Sequence, residues 1–451
     1  MTGASRSGIA RAIALLVCCL VLGLGGCDTV SDLFEEAEPP PLEGDRLSVI
    51  SLERQLEPDP GADAITVRLP QPYVNGEWPQ AGGYSHHAMH HLAGADALVE
   101  SWRVRIGSGT DDDGPVLSPP VVAGGRVFTM DSESLISAFD ADTGARLWTA
   151  RPVPEEDNEG SFGGGLAVEG AWVFATTGLG HVVALDLETG AEQWRRSIGV
   201  PLRAPPAVSG GRVFAVSHDN RLWVLDAKTG AVQWSHAAIV ESAGILGNAS
   251  PAVDGGIVIA PFSSGELTAL RVENGRTIWA DILAVQGVRI GAIATFNDID
   301  GSPVIDRGIV FAIGHGGRLV AIDLRSGRRA WERDIAGLDT PWVAGDFLFV
   351  MTADGELLCV ARQSGTILWV QSLPRFEDEE DREDPIFWTG PVLVGDRLIA
   401  AGSDGRVLAV SPYDGRILGG QSARGAVRVP PVVADRTLFI LTDAADLIAL
   451  R

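Results

Sequence analysis

An eleven-residue phrase with the pattern Ala-x-Asp-x-x-x-Gly-x-x-x-Trp recurs along this chain and constrains its fold more than any other feature. The copies span residues 138–148, 184–194, 224–234, 269–279, 321–331, 359–369 and 409–419. Six of them end in tryptophan, and the last ends in Gly419. Successive tryptophans from Trp148 to Trp369 stand 38 to 52 residues apart, which is the period of a four-stranded propeller blade.

A second pattern precedes each phrase and predicts the rest of the repeat. The stretch PPVVAGGRVFTM from Pro119 is typical: proline opens a short apolar strand, where no ladder hydrogen bond is lost, and a glycine turn leads to a second strand. The Ala-x-Asp segment then forms a third strand, the glycine sits in a tight turn, and the tryptophan lies on a fourth strand. Each repeat is therefore predicted to be one antiparallel four-stranded sheet.

The two ends of the chain together complete one further repeat. An eighth copy begins at Pro430 and reaches its third strand at Arg451, whereas residues 101–107 carry Trp102, 46 residues before Trp148 and in register with the period. Pairing the N-terminal strand with the C-terminal blade would close the ring and leave only short, protected edges. We therefore expect an all-β protein, an eight-bladed β-propeller of four-stranded antiparallel blades.

Charge and cysteine content exclude several classes of protein. The formal net charge of −24 argues against binding of nucleic acid, because phosphate contacts need a basic face. Cys18 and Cys19 lie in a predicted signal peptide and Cys27 is a predicted lipidation site, so Cys359 is the one thiol expected in the mature domain. No disulfide is then available, and Cys359, at an alanine position of the repeat, is predicted to be buried.

The N-terminal region is predicted to anchor the protein. Residues 1–26 combine a basic start with a short apolar core and end in Leu-Gly-Gly before Cys27, which predicts a lipoprotein signal peptide. Residues 27–77 are acidic and proline-rich, as in an extended tether, and residues 78–451 form the propeller. Acyl chains on Cys27 would hold the protein at a membrane. Asp28, the residue after the lipidation site, leaves open whether that membrane is the inner or the outer one.

Four histidines between Trp78 and Leu92 allow two interpretations. His86 with His90, and His87 with His91, have the i, i+4 spacing of a helical metal site. The alternative, which we favour because no cysteine or acidic pair stands close by, is a surface segment that packs beside the first blade. No metal is therefore predicted.

Acidic residues fall into two structural groups. The run Glu377–Asp384 is predicted to be a solvated loop, since it lacks the glycine of a calcium-binding loop. The aspartates of the repeated phrase are predicted to accept backbone N–H groups in their turns rather than to act in catalysis. They are Asp140, Asp186, Asp226 and Asp323.

The repeated phrase resembles the tryptophan-docking motif of quinoprotein propellers, in which each indole fastens one blade to the next. That resemblance assigns a docking role to Trp102, Trp148, Trp194, Trp234, Trp279, Trp331 and Trp369. One branch of these propellers comprises the pyrroloquinoline-quinone dehydrogenases, which cap their cofactor with a disulfide between adjacent cysteines. Here the adjacent pair lies in the signal peptide, so we expect no cofactor and no catalytic residues.

The other branch, the family of the outer-membrane assembly lipoprotein BamB, is similar to this chain in its lipidation signal, tether and single propeller. The resemblance implies a non-catalytic periplasmic scaffold, lipid-anchored at the outer membrane, which binds the periplasmic domains of BamA and joins other assembly subunits. Unfolded outer-membrane proteins are further implied partners. The family's acid-x-acid contact corresponds to Asp298 and Asp300, and its apolar contact loop corresponds to Ile245 and Leu246, without the family's arginine.

Two alternatives to a scaffold remain open from the sequence. A quinone-dependent dehydrogenase would share the motif, and a propeller that binds envelope carbohydrate or peptide would gather aromatic side chains on one face. The tryptophans outside the docking positions keep the second alternative open. They are Trp172, Trp223, Trp342 and Trp388.

Overall fold

Eight four-stranded antiparallel sheets form the body of the protein, and each sheet corresponds to one sequence repeat. The computed structural model describes residues 56–110, 115–116, 118–152, 163–239, 249–283 and 298–451. Leu56–Arg451 forms one compact unit. The all-β, eight-bladed fold predicted from the repeat is confirmed.

Four blades come from the first half of the repeats. Blade 1 comprises β2 (Val121–Ala123), β3 (Arg126–Met130), β4 (Ile136–Asp140) and β5 (Arg146–Ala150). Blade 2 comprises β6 (Gly164–Glu169), β7 (Trp172–Thr177), β8 (His181–Asp186) and β9 (Glu192–Ser197). Blade 3 comprises β10 (Ala207–Ser209), β11 (Arg212–Ser217), β12 (Arg221–Asp226) and β13 (Val232–Ala237). Blade 4 comprises β14 (Ala252–Asp254), β15 (Ile257–Pro261), β16 (Glu266–Arg271) and β17 (Thr277–Ile282).

The remaining blades follow in order. Blade 5 comprises β18 (Val304–Asp306), β19 (Ile309–Gly314), β20 (Arg318–Asp323) and β21 (Arg329–Arg333). Blade 6 comprises β22 (Trp342–Ala344), β23 (Phe347–Met351), β24 (Glu356–Ala361) and β25 (Ile367–Ser372). Blade 7 comprises β28 (Trp388–Val394), β29 (Arg397–Gly402), β30 (Arg406–Val410) and β31 (Ile417–Ser422). Blade 8 comprises β32 (Val432–Ala434), β33 (Thr437–Leu441), β34 (Asp446–Leu450) and, as its outer strand, β1 (Glu100–Arg105).

The third and fourth strands of each blade meet at the repeated phrase. In blade 1, Ala138 pairs with Trp148, and the register shifts by a bulge directly after this pair. The same pairing of a small residue with the ring recurs in blade 8, where Trp102 of β1 pairs with Ala449 of β34. The small partner leaves the indole free to project toward the next blade.

Indole rings fasten consecutive blades. The ring of Trp148 lies over the turn of blade 2, where a Cβ built on Gly190 would stand 2.5 Å from the ring and where φ is +71°. Only glycine fits both constraints. The indole N–H of Trp148 donates to the carbonyl of Leu187 at 3.1 Å. Equivalent indole bonds, at 2.7 to 3.3 Å, are made by Trp102, Trp194, Trp234, Trp279, Trp331 and Trp369.

The turn aspartates have the structural role that the sequence predicts. Asp140 accepts the backbone N–H of Thr143 at 2.8 Å and its hydroxyl at 2.7 Å. These bonds, that of the Thr143 hydroxyl first, hold the pKa of Asp140 below its usual range. Asp186, Asp226 and Asp323 make the same contacts.

Two smaller predictions have different outcomes. Cys359 is fully buried, as predicted, and burial raises the pKa of its thiol. The acidic run is exposed as predicted, but it is a short hairpin of β26 (Phe376–Asp378) and β27 (Glu383–Pro385) rather than a loop. Asp378 caps its turn by accepting the N–H of Glu380 at 2.9 Å.

One turn of 3-10 helix, Ala62–Ala64, completes the elements of the described residues. No helix among these residues is long and apolar enough to span a membrane.

Candidate functional site

The centre of the propeller is occupied by the chain itself. The stretch 73–92, here called the hub segment, hydrogen-bonds to the innermost strand of every blade or to the residue that follows that strand. In the order of the blades, the bonded pairs are Trp78 with Val122, Pro79 with Val168, Gln80 with Val208, Ser85 with Val253, His86 with Ile305, His90 with Trp342, Leu92 with Gly395, and Asn75 with Asp435.

These bonds satisfy backbone groups that a propeller otherwise leaves unpaired. The N–H of Trp78 donates to the carbonyl of Val122 at 2.7 Å, and the N–H of Val122 donates to the carbonyl of Trp78 at 2.8 Å. Val122 pairs with β3 on its other side. An innermost strand is a sheet edge, and its free N–H and C=O groups need partners wherever water is excluded. The hub segment supplies such partners around the ring.

Close packing accompanies the hydrogen bonds. Trp78 is 3% exposed and stacks on Trp342 of blade 6, with ring centroids 6.1 Å apart. Met89 and Leu92 are fully buried in the same apolar cluster. A Cβ built on Gly83 would stand 2.2 Å from the sulfur of Met89, and φ at Gly83 is +96°, so this turn requires glycine.

The predicted surface position of the four histidines is wrong. They lie in the hub segment, which contains no helix, so the i, i+4 spacing forms no helical metal site. His87 is buried, its Nδ1 lies 2.7 Å from the carbonyl of Pro303, and burial lowers its pKa to about 4. The ring nitrogens of His91 lie 2.7 and 2.6 Å from the carbonyls of Pro70 and Gly395. These two rings fasten the hub segment to the blades.

His90 makes the closer of two contacts between this group and a carboxylate, the other being that of His91 Nε2 with Asp396 at 3.9 Å. The Nε2 of His90 lies 3.3 Å from Asp306, which also receives the guanidinium of Arg362. Burial raises the pKa of Asp306, but the hydrogen bonds from His90 and Arg362 outweigh it and bring that pKa down to about 2. Within the described residues, no cluster of three or more histidine, cysteine or acidic side chains is placed to hold a metal ion.

A second group of carboxylates lies where the chain enters the blades. We call Asp298, Asp300 and Asp339 the hub mouth, because they precede the innermost strands β18 and β22. Asp300 keeps some exposed surface, but both of its carboxylate oxygens are buried without a hydrogen-bond partner. Burial, then the neighbouring charges of Asp298 and Asp339, raise the pKa of Asp300 to about 7.

The hub mouth opens into a small cavity between blades 3 and 4. Asp300 lines this cavity together with Arg203 and His218. Asp339 lies deeper: its carboxylate accepts the hydroxyl of Thr389 at 2.8 Å and the N–H of Gly390 at 3.2 Å. Burial nevertheless raises the pKa of Asp339 to about 6. The cavity has a volume of about 50 Å³, and its lining carries a cationic group, Arg203, as well as Asp300.

The residues that the resemblance assigns to partner binding differ in how far the structure exposes or describes them. Asp298 is 1% exposed, whereas Asp300, two positions on, faces the cavity. Ile245, Leu246 and the predicted lipidation site Cys27 lie outside the described residues. Asp339 of the hub mouth, and Arg203 and His218 of the cavity lining, were not identified from the sequence.

The remaining tryptophans do not form an aromatic platform on the described surface. Trp342 and Trp388 are buried, and their indole N–H groups donate to the carbonyls of His90 and Pro374 at 2.8 and 2.7 Å. Trp172 and Trp223 are half-buried against the cluster between blades 2 and 3. These four rings pack within the propeller.

The eight-bladed fold and the seams, the junctions between neighbouring blades that hold the indole rings, together define a propeller of the quinoprotein type. Solved structures of this class share the fold. BamB from Moraxella catarrhalis superposes with a TM-score of 0.64 at 20% identity, over 78% of this chain and 99% of that one. A europium-containing methanol dehydrogenase superposes with a TM-score of 0.65 at 15% identity, over 81% of this chain and 89% of that one.

Sequence comparison identifies the family. The sequence profile described as outer membrane protein assembly factor BamB matches residues 100–159 and 132–371, more than half of the chain, so the chain belongs to this family. BamB of Salmonella typhimurium is 31% identical over 147 residues, which are 32% of this chain and 35% of that protein. BamB of Alkalilimnicola ehrlichii is 30% identical over 155 residues, which are 34% and 38% of the two chains. The matched stretches thus span little more than a third of these relatives.

Proposed function

We propose that this protein is a non-catalytic scaffold in the assembly of outer-membrane proteins, and that Asp300 receives a cationic side chain of its partner. The family's description supports the assembly role. The resemblance noted in the sequence supports the periplasmic domains of BamA as the partner. Other assembly subunits and unfolded outer-membrane proteins are further partners that it implies. An acylated Cys27 and the acidic tether would hold the propeller at the outer membrane, facing the periplasm.

One observation is the main support for this binding site: the carboxylate oxygens of Asp300 are buried without a hydrogen-bond donor. An unpaired buried carboxylate is costly at neutral pH, and a lysine or arginine that approaches within hydrogen-bond distance offsets that cost. Because the pKa of Asp300 is raised to about 7, a cationic partner would also return the carboxyl to its charged form. Asp298 would support the site through its negative charge rather than by contact.

Raised carboxylate pKa values also occur in catalytic sites, which keeps a quinone enzyme as the rival hypothesis. The filled hub argues against this rival, because Trp78 and Trp342 stack across the centre of the ring. Reconstitution with pyrroloquinoline quinone and calcium, followed by dye reduction with alcohols or sugars, tests it directly. We expect no turnover.

The binding site is tested with Asp300→Asn, which keeps the shape of the side chain and removes its charge. We expect recovery of the BamA periplasmic domains in a pull-down to fall about tenfold, since charged pairs at interfaces contribute this much or more. Asp140→Asn, in an exposed turn, is the matched control and should leave recovery unchanged. Equal recovery with Asp300→Asn and the wild-type protein would refute the assignment.

A further inference from the structure

The seam between blades 7 and 8 differs from the seven seams that an indole fastens. Gly419 pairs with Ala409 at the position where the other phrases carry tryptophan. The receiving blade differs as well: its outer strand is β1, so no turn joins the third and fourth strands of blade 8. At this seam both the ring and the glycine turn that would receive it are therefore missing.

A cavity of about 300 Å³ lies at this seam. Its lining is mostly aliphatic and includes Leu98, Val407, Gln421, Ile440, Ile448 and Leu450. That volume is at the lower end of the range for sites that enclose small molecules or large side chains. Since indole rings occupy the other seams, an aromatic ring matches both the size and the chemistry of this cavity.

The strand beside the cavity is an open sheet edge. β31 pairs only with β30, and all six of its residues are exposed. Ile417 and Leu418 are 40% and 45% exposed. An exposed edge of this kind offers unpaired backbone groups to an added strand.

Two arginines stand at the rim of the cavity, and one of them, Arg103, is also paired with Asp446 at 3.4 Å. Arg103 and Arg424 line it together with one acidic residue, Glu100, from which they lie 3.0 and 3.6 Å away. The side chain of Arg424 is 72% exposed. In a protein with a formal net charge of −24, the exposed guanidinium of Arg424 favours an acidic group on the occupant.

We propose that the seam between blades 7 and 8 binds an extended segment of another polypeptide. The segment adds to β31 as a strand, places an aromatic side chain in the cavity and directs an acidic side chain to Arg424. This surface is separate from Asp300, so either site can fail its test without the other. Self-association through β31 is disfavoured by the repulsion between two chains of the same high net charge.

Fluorescence anisotropy on the full-length protein tests this inference. The probe is a fluorescein-labelled peptide of alternating valine and threonine with one central tryptophan and one nearby aspartate. We expect saturable binding, weakened about tenfold when the peptide's tryptophan is replaced by alanine. An aspartate-to-lysine peptide should bind more weakly by a similar factor.

Two variants of the protein locate the site. Gln421→Trp places an indole in the cavity, and Arg424→Glu reverses the charge of an exposed side chain without touching the core. Each should weaken peptide binding about tenfold. The matched control is Arg195→Glu, because Arg195, like Arg424, pairs with a glutamate, Glu192 at 2.6 Å, but its seam holds the ring of Trp194.

Three results would overturn the proposal. The first is no binding of the probe to the wild-type protein, and the second is equal binding to the wild-type protein and both seam variants. The third is a dimer in sedimentation that Gln421→Trp dissociates, which would make a second copy of this chain the occupant. If Gln421→Trp fails to fold, equal binding to the wild-type protein and to Arg424→Glu is enough to overturn the proposal.

Discussion

The hub segment and the hub mouth are built in opposite ways. Along the hub segment, backbone groups meet partners around the whole ring, as with Trp78 on Val122, and the side-chain atoms that stay buried without a partner, Asn75 Oδ1, Trp78 Nε1 and His87 Nε2, belong to uncharged groups. At the hub mouth, Asp300 has buried carboxylate oxygens with no partner. Satisfied polar groups stabilise a fold, whereas an unsatisfied buried charge costs stability and is retained where a partner compensates it. From this contrast we propose a stabilising role for the segment and a binding role for the mouth.

Replacement of residues 73–92 by a flexible glycine-serine linker of equal length should have the largest effect. Eight hydrogen-bonded contacts and the burial of Trp78, Met89 and Leu92 would be lost. We expect the free energy of unfolding in urea to fall by more than about 6 kcal/mol. The same replacement of the exposed hairpin 376–385 is the control and should cost less than about 1 kcal/mol. Similar losses from both would contradict a structural hub segment.

Trp78→Ala examines the segment at a single residue. The side chain is 3% exposed and stacks on Trp342, so its truncation leaves a cavity at the centre of the ring. We expect a loss of about 4 kcal/mol by chemical denaturation. Trp172→Ala, at a half-buried ring outside the hub, should cost less than half as much. If Trp78→Ala left the free energy of unfolding unchanged, the stability of the propeller would not depend on this contact.

Asp300→Asn tests the hub mouth. This substitution is expected to raise the free energy of unfolding, whereas the two changes to the hub segment lower it. The folded pKa of about 7 lies above the ordinary 3.8, so between these values the folded protein binds more protons than the unfolded chain. Its stability therefore falls as pH rises toward 7. We expect the variant to be more stable than wild type by about 2 kcal/mol at pH 8, with the gain absent at pH 4. Thermal melts at both pH values give the comparison, and a destabilised variant at pH 8 would contradict it.

His90→Asn should have the smallest effect, because it removes one partly exposed contact to Asp306. We expect a loss of about 1 kcal/mol at neutral pH. The pKa of Asp306 is held at about 2, so its contribution is present above pH 4 and is lost as pH falls through 2. The difference between variant and wild type should therefore shrink below pH 3. A pH-independent difference would assign the effect of His90 to packing.

The blades could be predicted from the sequence because their signals are local and repeated. Proline, paired small residues, a turn glycine and tryptophan each specify one step of the same four-stranded sheet, and seven copies of the phrase remove the ambiguity of any single one. Turn aspartates such as Asp140 and the buried Cys359 follow from positions within the repeat.

The hub segment could not be predicted by the same reasoning. It bonds to each blade through one or two residues, and so it has neither the alternation of a strand nor the period of a helix. Trp78, Met89 and Leu92 among glycines and histidines were the available signal, since apolar residues at such spacing favour burial over a surface position. The unpartnered state of Asp300 depends on residues distant in sequence, such as Asp339, and needs the fold.

Amide hydrogen exchange, resolved to peptides of the innermost strands, tests the central claim that the hub is filled by the chain's own N-terminal segment. The amides of Val122, Val168, Val253 and Ile305 donate to the hub segment. They should exchange slowly in the native protein and lose protection together when residues 73–92 are replaced by the linker. Rapid exchange of these amides in the native protein would contradict the account.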